Sequence, residues 1–484
     1  MAKKPSLVLG SIFYLIYNIF NAVFPFITAL YVTRVMTSEI IGDVSYALNI
    51  ATYFALFAFV GIPTYGVREI AKNKDDPEAM NRVFSELFFI NLVTTTISIA
   101  SFLALIFIVP EFHSGEHMWL YLIVGIEIFL NYFNISWLFE GLEKFGIIAV
   151  VNVFSKVISL VFLFLFVKSD GNNLIYALIS VIGISGYYAM LFACFPKYAK
   201  FRVKNLQFKK HFKPILLLVV VNLAIEIYSL VDVTMIGAIM RDSKSHVTYY
   251  KYAHQIQKTI LMVINTITLV LVPRLTQHYH KGEIDEYNDL LGRALTIVIL
   301  LSIPMVIGVF FVSDSVVVWL YGDEYIASSI ILKILSLVVV VSPIGYLLGS
   351  RVCLVTNNEK YMPIAVGAGA LVNIGLNFWF INLWGEIGAA IASVASEVVV
   401  VVVYLIFSHK LFKIKVDWKN YLKIAIALVV MTGYLLILHF FVEREILKIA
   451  LEIAGAIVIY FGLLLIIREQ CMMALFRKVF RKRG

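Results

Sequence analysis

Charge is scarce in this sequence. Asp, Glu, Lys and Arg make up 15% of the 484 residues, where an average soluble domain carries about a quarter. Cysteine is scarcer: Cys194, Cys353 and Cys471 show no spacing for a disulfide framework or a metal site. No glycine-rich loop ending in Gly-Lys-Ser/Thr occurs, so there is no phosphate cradle for an ATP-driven pump. The basic residues exceed the acidic ones, 40 to 31, for a formal charge of +9. In a chain this apolar, that excess belongs in cytoplasmic loops and does not by itself imply nucleic acid. Met1 to Pro5 is a short basic start followed by a full-length apolar run without a small-residue cleavage site. No removable signal peptide is therefore expected.

What the sequence has in abundance is apolar length: 61% of its residues are hydrophobic. A helical span needs about 20 apolar residues. Fourteen such runs are expected, at 6–33, 43–66, 84–109, 118–139, 146–168, 174–195, 214–239, 247–272, 290–312, 329–354, 362–382, 387–408, 420–441 and 446–467. Their length argues for helices, because barrel strands would alternate over about ten residues. The expected fold class is an all-α integral membrane protein. Pro25, Pro63, Pro304 and Pro343 interrupt spans one, two, nine and ten, each removing a backbone hydrogen bond. Trp119 and Trp319 fall near outer span ends as interfacial anchors. His113 and His117, four residues apart outside, read as solvated loop residues.

Lys and Arg orient the spans. Thirty of them fall in the N-terminus, the even-numbered connections and the C-terminal tail, against six in the odd connections. The bias places both termini in the cytoplasm. The three cysteines then lie near the cytoplasmic side, where thiols stay reduced. The basic tail at 468–484 interleaves Met472, Leu475, Phe476, Val479 and Phe480. It reads equally as a helix lying on anionic lipid or as a solvated positive-inside segment.

The chain also reads as a repeat. A basic linker at 197–213 separates an N-lobe at 1–196 from a C-lobe at 214–409; spans thirteen and fourteen, at 410–467, are extra. Tyr46-Ala47 and Arg68 match Tyr252-Ala253 and Arg274 at a shift of 206. Glu143-Lys144-Phe145 matches Glu359-Lys360-Tyr361 at 216, and Ala177 with Ser180-Val181 matches Ala390 with Ser393-Val394 at 213. Six spans separate the copies, so the repeats are parallel, related about the membrane normal, with the substrate expected between them.

Charges inside spans are expensive and usually face a cavity or a partner. Lys251, His254, Gln255 and Lys258 sit at i, i+3, i+4 and i+7, one stripe on one helical face. The preceding span carries Glu226 and Asp232. At about 1.5 Å of rise per residue, Glu226 and Lys258 both lie roughly 17 Å below the outer end, and Asp232 and Lys251 about 6–9 Å below it. Glu127 and Lys156 lie about 14–18 Å below the outer face by the same measure. These groups read either as ion pairs between helices or as ligand-binding and ion-coupling groups, with Glu397 a further candidate. Arg68 and Arg274 at the cytoplasmic mouth read as positive-inside anchors or as a site of anion capture. Arg34 at the outer end of span one serves release or snorkels.

Several stretches resemble the polysaccharide repeat-unit flippases (Wzx type) of the multidrug/oligosaccharidyl-lipid/polysaccharide (MOP) exporter superfamily. They are Tyr65-Gly66-Val67-Arg68-Glu69-Ile70-Ala71, Trp137-Leu138-Phe139-Glu140-Gly141-Leu142-Glu143-Lys144-Phe145, Asp232-Val233-Thr234-Met235-Ile236-Gly237, Pro273-Arg274-Leu275 and Gly385-Glu386-Ile387-Gly388-Ala389-Ala390. The resemblance implies two six-helix lobes in a V-like, alternating-access arrangement. It also implies a bacterial inner-membrane protein, not an enzyme and without a cofactor. Its substrate would be a polyprenyl-diphosphate-linked oligosaccharide, moved from the cytoplasmic to the outer leaflet for assembly of O-antigen or capsule. The coupling ion would be H+ or Na+, and the partners membrane lipids, a polysaccharide polymerase and chain-length proteins. The rival within the superfamily is a multidrug exporter, which favours acidic cavities. The rival enzyme, a polymerase or ligase, usually needs a sizeable outer domain, and the longest outer connection here is roughly Val312 to Ser328.

Overall fold

The computed structural model describes residues 7–59, 61–414, 417–441 and 445–473, and among them every regular element is helical. By their contacts the helices form two compact units, Met1–Gly237 with Arg241–Thr248, and Ala238–Met240 with Tyr249–Gly484.

The first unit contains α1 (Leu7–Val32), α2 (Ser38–Ala58), α3 (Ile62–Asn73), α4 (Pro77–Ile108), α5 (Pro110–His113), α6 (Glu116–Val124), α7 (Ile126–Leu130), α8 (Ser136–Gly141), α9 (Phe145–Phe166), α10 (Asn173–Ser185), α11 (Tyr187–Cys194) and α12 (Lys209–Ile239). Lipid tails are as apolar as leucine, so close backbone approach and internal hydrogen bonds must hold such helices together. The motifs that carry the family resemblance supply that approach. A Cβ added at Gly66 would stand 2.8 Å from the Trp137 ring, and one at Gly141 would stand 2.7 Å from the Ile70 side chain. These two stretches therefore pack α3 on α8. A Cβ at Gly237 would lie 2.3 Å from the Tyr46 ring. Nearby, Asn49 donates to Thr234 Oγ1 at 2.7 Å and to the Leu230 carbonyl at 3.2 Å. These contacts join α12 to the first unit, although the linker at 197–213 placed it at the head of the second lobe.

The second unit contains α13 (Ser245–His280), whose first turn belongs to the first unit, then α14 (Ile284–Tyr321), α15 (Ala327–Ser336), α16 (Val338–Gly345), a π-helical stretch at Tyr346–Arg351, α17 (Val352–Val355), α18 (Tyr361–Ser408), α19 (Trp418–Phe441) and α20 (Glu445–Ile466). Gly345 and Gly349 are one helical turn apart. Added Cβ atoms there would meet Val401 at 2.6 Å and Tyr404 at 2.2 Å, so this small-xxx-small pair seats α16 on α18. α19 and α20 pack on α14 around Leu300, Ala427, Met431 and Tyr460, and the Tyr460 hydroxyl donates to the Leu300 carbonyl at 2.9 Å.

Nine described helices are long and apolar enough to cross a membrane, or eleven if each of two bent pairs is one span. The 48 residues of α18 would extend about 72 Å, more than twice the hydrocarbon thickness. The helix is in fact turned at Gly385, where φ is +56° and ψ −136°. A Cβ on Gly388 would stand 2.1 Å from the Phe380 carbonyl, which makes the turn tight. The expected spans eleven and twelve lie on its two arms. Expected spans one and seven fall on α1 and α12, where part of the side chains lies outside the described residues.

The two halves share local geometry. The chain leaves α8 through Glu143 at φ +59°, and Lys144 N–H bonds back to the Phe139 carbonyl at 2.7 Å. It leaves α17 through Asn357 at φ +57°, and Asn358 N–H bonds back to the Cys353 carbonyl at 2.7 Å. Both are the left-handed helix exits of the Schellman type. The exits are 214 positions apart, whereas the helices that follow begin 216 apart, at Phe145 and Tyr361. The second copy holds two more residues in the loop, where insertions disturb least. Beside the first exit the Glu143 carboxylate bonds Lys74 at 2.9 Å and holds its ammonium above the ordinary lysine range.

Candidate functional site

In the first unit the polar site is built where the fourth expected span breaks. Its pieces are α6, α7, a 3-10 turn at Asn131–Phe133 and α8. Breaking a membrane helix frees backbone groups that only the protein can satisfy. Three asparagines do this. Asn91 on α4 donates to the Asn131 carbonyl at 2.8 Å, Asn131 donates to the Glu127 carbonyl at 3.3 Å, and the Asn134 side chain accepts from the Ser136 N–H at 3.4 Å.

Glu127 stands on α7 at 4% exposure, with the Thr52 hydroxyl in hydrogen-bond reach. Among the described residues its Oε2 meets no donor, nor do Asn91 Oδ1, Thr95 Oγ1 or Asn152 Oδ1. Lys156 on α9 is buried at 8% exposure, yet its ammonium lies 4.4 Å above the Phe24 ring. The two expected partners thus do not form an ion pair. Asp232 is buried on α12, half a turn from Thr234. The Glu226 side chain lies outside the described residues.

In the second unit, Lys251, His254, Gln255 and Lys258 lie on the long first arm of α13. The helix turns another face into its own unit: Tyr252, Ala253 and Gln257 are buried there, and Tyr252 stacks on Tyr321 at 4.4 Å. The stripe is less buried, with Lys258 exposed and the other three intermediate. The His254 ring is 5.7 Å from that of Tyr250, whose hydroxyl bonds Ser393 Oγ at 3.1 Å. Gln255 Nε2 is buried without a partner among the described residues. Glu397 is half-buried on α18, one turn beyond Ser393.

The arginines are exposed. Arg68 lies over Tyr65 at 5.4 Å and 3.9 Å from Glu69. Arg274 stands near the end of α13, beside the buried Leu275. Arg34 folds back to donate to the Leu30 carbonyl. Among the described residues no group of three or more His, Cys, Asp or Glu side chains could hold a metal.

Sequence reasoning missed one buried cluster. Glu86, fully buried on α4, accepts from His211 Nε2 at 2.7 Å, Lys210 Nζ at 2.9 Å and the Gln207 N–H at 2.6 Å; Tyr65 bonds the other ring nitrogen of His211 at 2.8 Å. The basic linker is fastened here as well: the Lys200 N–H donates to Asn81 at 2.8 Å and the Arg202 N–H to Ser85 at 2.7 Å. Glu86 was legible as a lone acid at the start of a span, but its partners lie more than a hundred residues away.

The family of models described as "Polysaccharide biosynthesis protein" matches residues 7–278, more than half of the chain. The chain belongs to this family. A second family model, MatE, matches residues 218–379. Among curated proteins, a "Putative O-antigen transporter" of Shigella dysenteriae is 24% identical over 392 residues, 80% of this chain and 96% of that protein. The "Capsular polysaccharide biosynthesis protein CapF" of Staphylococcus aureus is 23% identical over 411 residues, 82% of this chain and 97% of that protein. Several solved structures share the fold. "Lipid II flippase MurJ, inward closed conformation" has a TM-score of 0.64 at 19% identity, covering 91% of this chain and 97% of that one. An inward-facing multidrug resistance transporter of the MOP superfamily has a TM-score of 0.62 at 16% identity, covering 82% and 93%. Family and fold together make this a multi-pass α-helical membrane protein.

Proposed function

We propose that this protein is a flippase. It carries a polyprenyl-diphosphate-linked oligosaccharide repeat unit from the cytoplasmic to the outer leaflet of a bacterial inner membrane, for assembly of a surface polysaccharide. The observation that carries the reading is the stripe Lys251, His254, Gln255 and Lys258, which lies on the face of α13 opposite the buried Tyr252, Ala253 and Gln257. A sugar diphosphate brings negative charge and many hydroxyls into a low-dielectric region, and cations with amide donors meet that need. The curated relatives, named for O-antigen transport and capsule synthesis, support the substrate class. Arg68 and Arg274 capture the diphosphate at the cytoplasmic mouth, and Arg34 lies where it is released. Translocation breaks no covalent bond, so the site needs neither catalytic residues nor a cofactor.

Fourteen spans with both termini cytoplasmic, and two lobes alternating access, complete the reading. An ion gradient drives it. Glu127 is the coupling group, because its carboxyl is buried with one oxygen that has no partner among the described residues, a setting that favours a proton or a sodium ion. A polymerase and chain-length proteins would receive the product.

A multidrug exporter is the second reading, favoured by the MatE match over 218–379. Its cationic substrates would be repelled by the stripe. Alanine variants of the stripe decide between the two: lost surface glycan with unchanged drug resistance supports the flippase, and altered resistance to cationic drugs with normal glycan overturns it.

A further inference from the structure

A slot of about 300 Å³ opens on the first unit between α4 and the start of α12, and its walls are apolar. Ile90 and Thr94 form one side, and Phe208, Phe212 and Leu216 the other, with Lys209 at the rim. The Glu86–Lys210 contact sets the register. Position 86 of α4 stands level with position 210, so Ile90 and Thr94 lie about 6 and 12 Å deeper along α4. The slot therefore runs from the level of the lysines into the apolar length of both helices. The Thr94 hydroxyl donates to the Ala58 carbonyl at 2.6 Å, so among the described residues the deep end offers no free donor.

The mouth is different. Lys210 is committed to Glu86 and Arg202 to Glu78. Lys204, Lys209 and Lys213 are exposed and make no ion pair among the described residues. Phe212, at 70% exposure, stands beside them. An apolar slot with Lys209 at its rim, on a segment that also carries Lys204 and Lys213, suits one occupant, a chain with an anionic head. We propose that the slot binds one acyl chain of an anionic phospholipid of the surrounding membrane, with Lys209 and Lys213 holding its phosphate. The linker is fastened to α4 along the same turns, through Asn81, Ser85 and Glu86. A lipid in the slot thus sits against the segment that joins the two sequence repeats.

Native mass spectrometry of the full-length protein, purified in detergent, tests this with added phosphatidylglycerol, phosphatidylcholine or undecaprenyl phosphate. The wild type should retain one phosphatidylglycerol more tightly than phosphatidylcholine. Lys209→Gln should weaken that retention by about fivefold, the size of one lysine contact with an anionic lipid surface. Thr94→Trp, which fills the deep end, should weaken phosphatidylglycerol and phosphatidylcholine alike. Lys209→Gln alters an exposed side chain, so it stays informative if the tryptophan variant misfolds. Equal retention of the two phospholipids, or retention unchanged in Lys209→Gln, overturns the proposal. Retention of undecaprenyl phosphate in place of phosphatidylglycerol also overturns it and assigns the slot to a polyprenyl lipid.

Discussion

The Ser38 hydroxyl donates to that of Ser245 across 2.8 Å, and these serines open α2 and α13 at positions 207 residues apart. Tyr46-Ala47 and Tyr252-Ala253, one helix face further on, are 206 apart. The starts of α2 and α13, which the sequence shift pairs, therefore touch. Glu39 reinforces the contact, accepting from the Lys244 N–H at 3.0 Å and from Ser245 Oγ at 3.2 Å; Thr248 Oγ1 donates to the Ser38 carbonyl at 2.7 Å. Gly42 permits it, since a Cβ there would lie 2.0 Å from the Lys244 carbonyl oxygen.

Gly42→Ala should destabilise the protein by about 1–3 kcal/mol, the usual effect of overpacking against backbone that must shift. Thermal unfolding of the purified protein in detergent measures it. An unchanged midpoint would mean that the turn at 240–244 yields freely and does not fasten α2.

Glu127→Gln keeps the shape of the buried side chain and removes its titratable proton. If Glu127 is the coupling group, glycan export should fall at least tenfold while the protein accumulates normally. Stability should hold or rise, because a buried acid with an unpaired oxygen is replaced by a neutral amide. Export at the wild-type level in cells producing the glutamine variant would remove Glu127 from the coupling path.

Lys258→Ala should reduce glycan export without reducing the amount of protein in the membrane. Adding Glu226→Ala should leave export low. Full recovery of export in the double variant would make the two an ion pair with a structural role, and the stripe would lose its part in binding. Desolvation and attraction nearly cancel for buried pairs, so this comparison is more telling than either single change.

Orientation is checked by reporter fusions. Those at Gly115, Gly171 and Asn382 should report the outer side, and those at Lys204, Asn357 and Gly484 the cytoplasm. A fusion at Gly484 reporting outside would require an odd number of spans and would break the parallel repeat as well.

By itself the sequence determined the class of the molecule. Long apolar runs can satisfy their backbones in lipid only as helices, and the scarcity of charge within them makes that visible residue by residue. The matched fragments at shifts of 206 to 216 lead to real common geometry, such as the left-handed exits at Glu143 and Asn357. The motifs that carry the family resemblance were legible too, although their physical role was not. Gly66 with Trp137, Gly141 with Ile70 and Gly237 with Tyr46 are packing contacts, not binding groups.

Only the tertiary structure decided which polar groups meet. Glu127 and Lys156 lie at matching depth by helical rise, yet one faces Thr52 and the other the Phe24 ring. Depth along a helix fixes one coordinate, while the direction in which a side chain points depends on how the helices are rotated and broken. Glu86 finds Gln207, Lys210 and His211 more than a hundred residues away for the same reason. A buried carboxylate must be paired or remain neutral, and sequence distance sets no limit on where its partner stands.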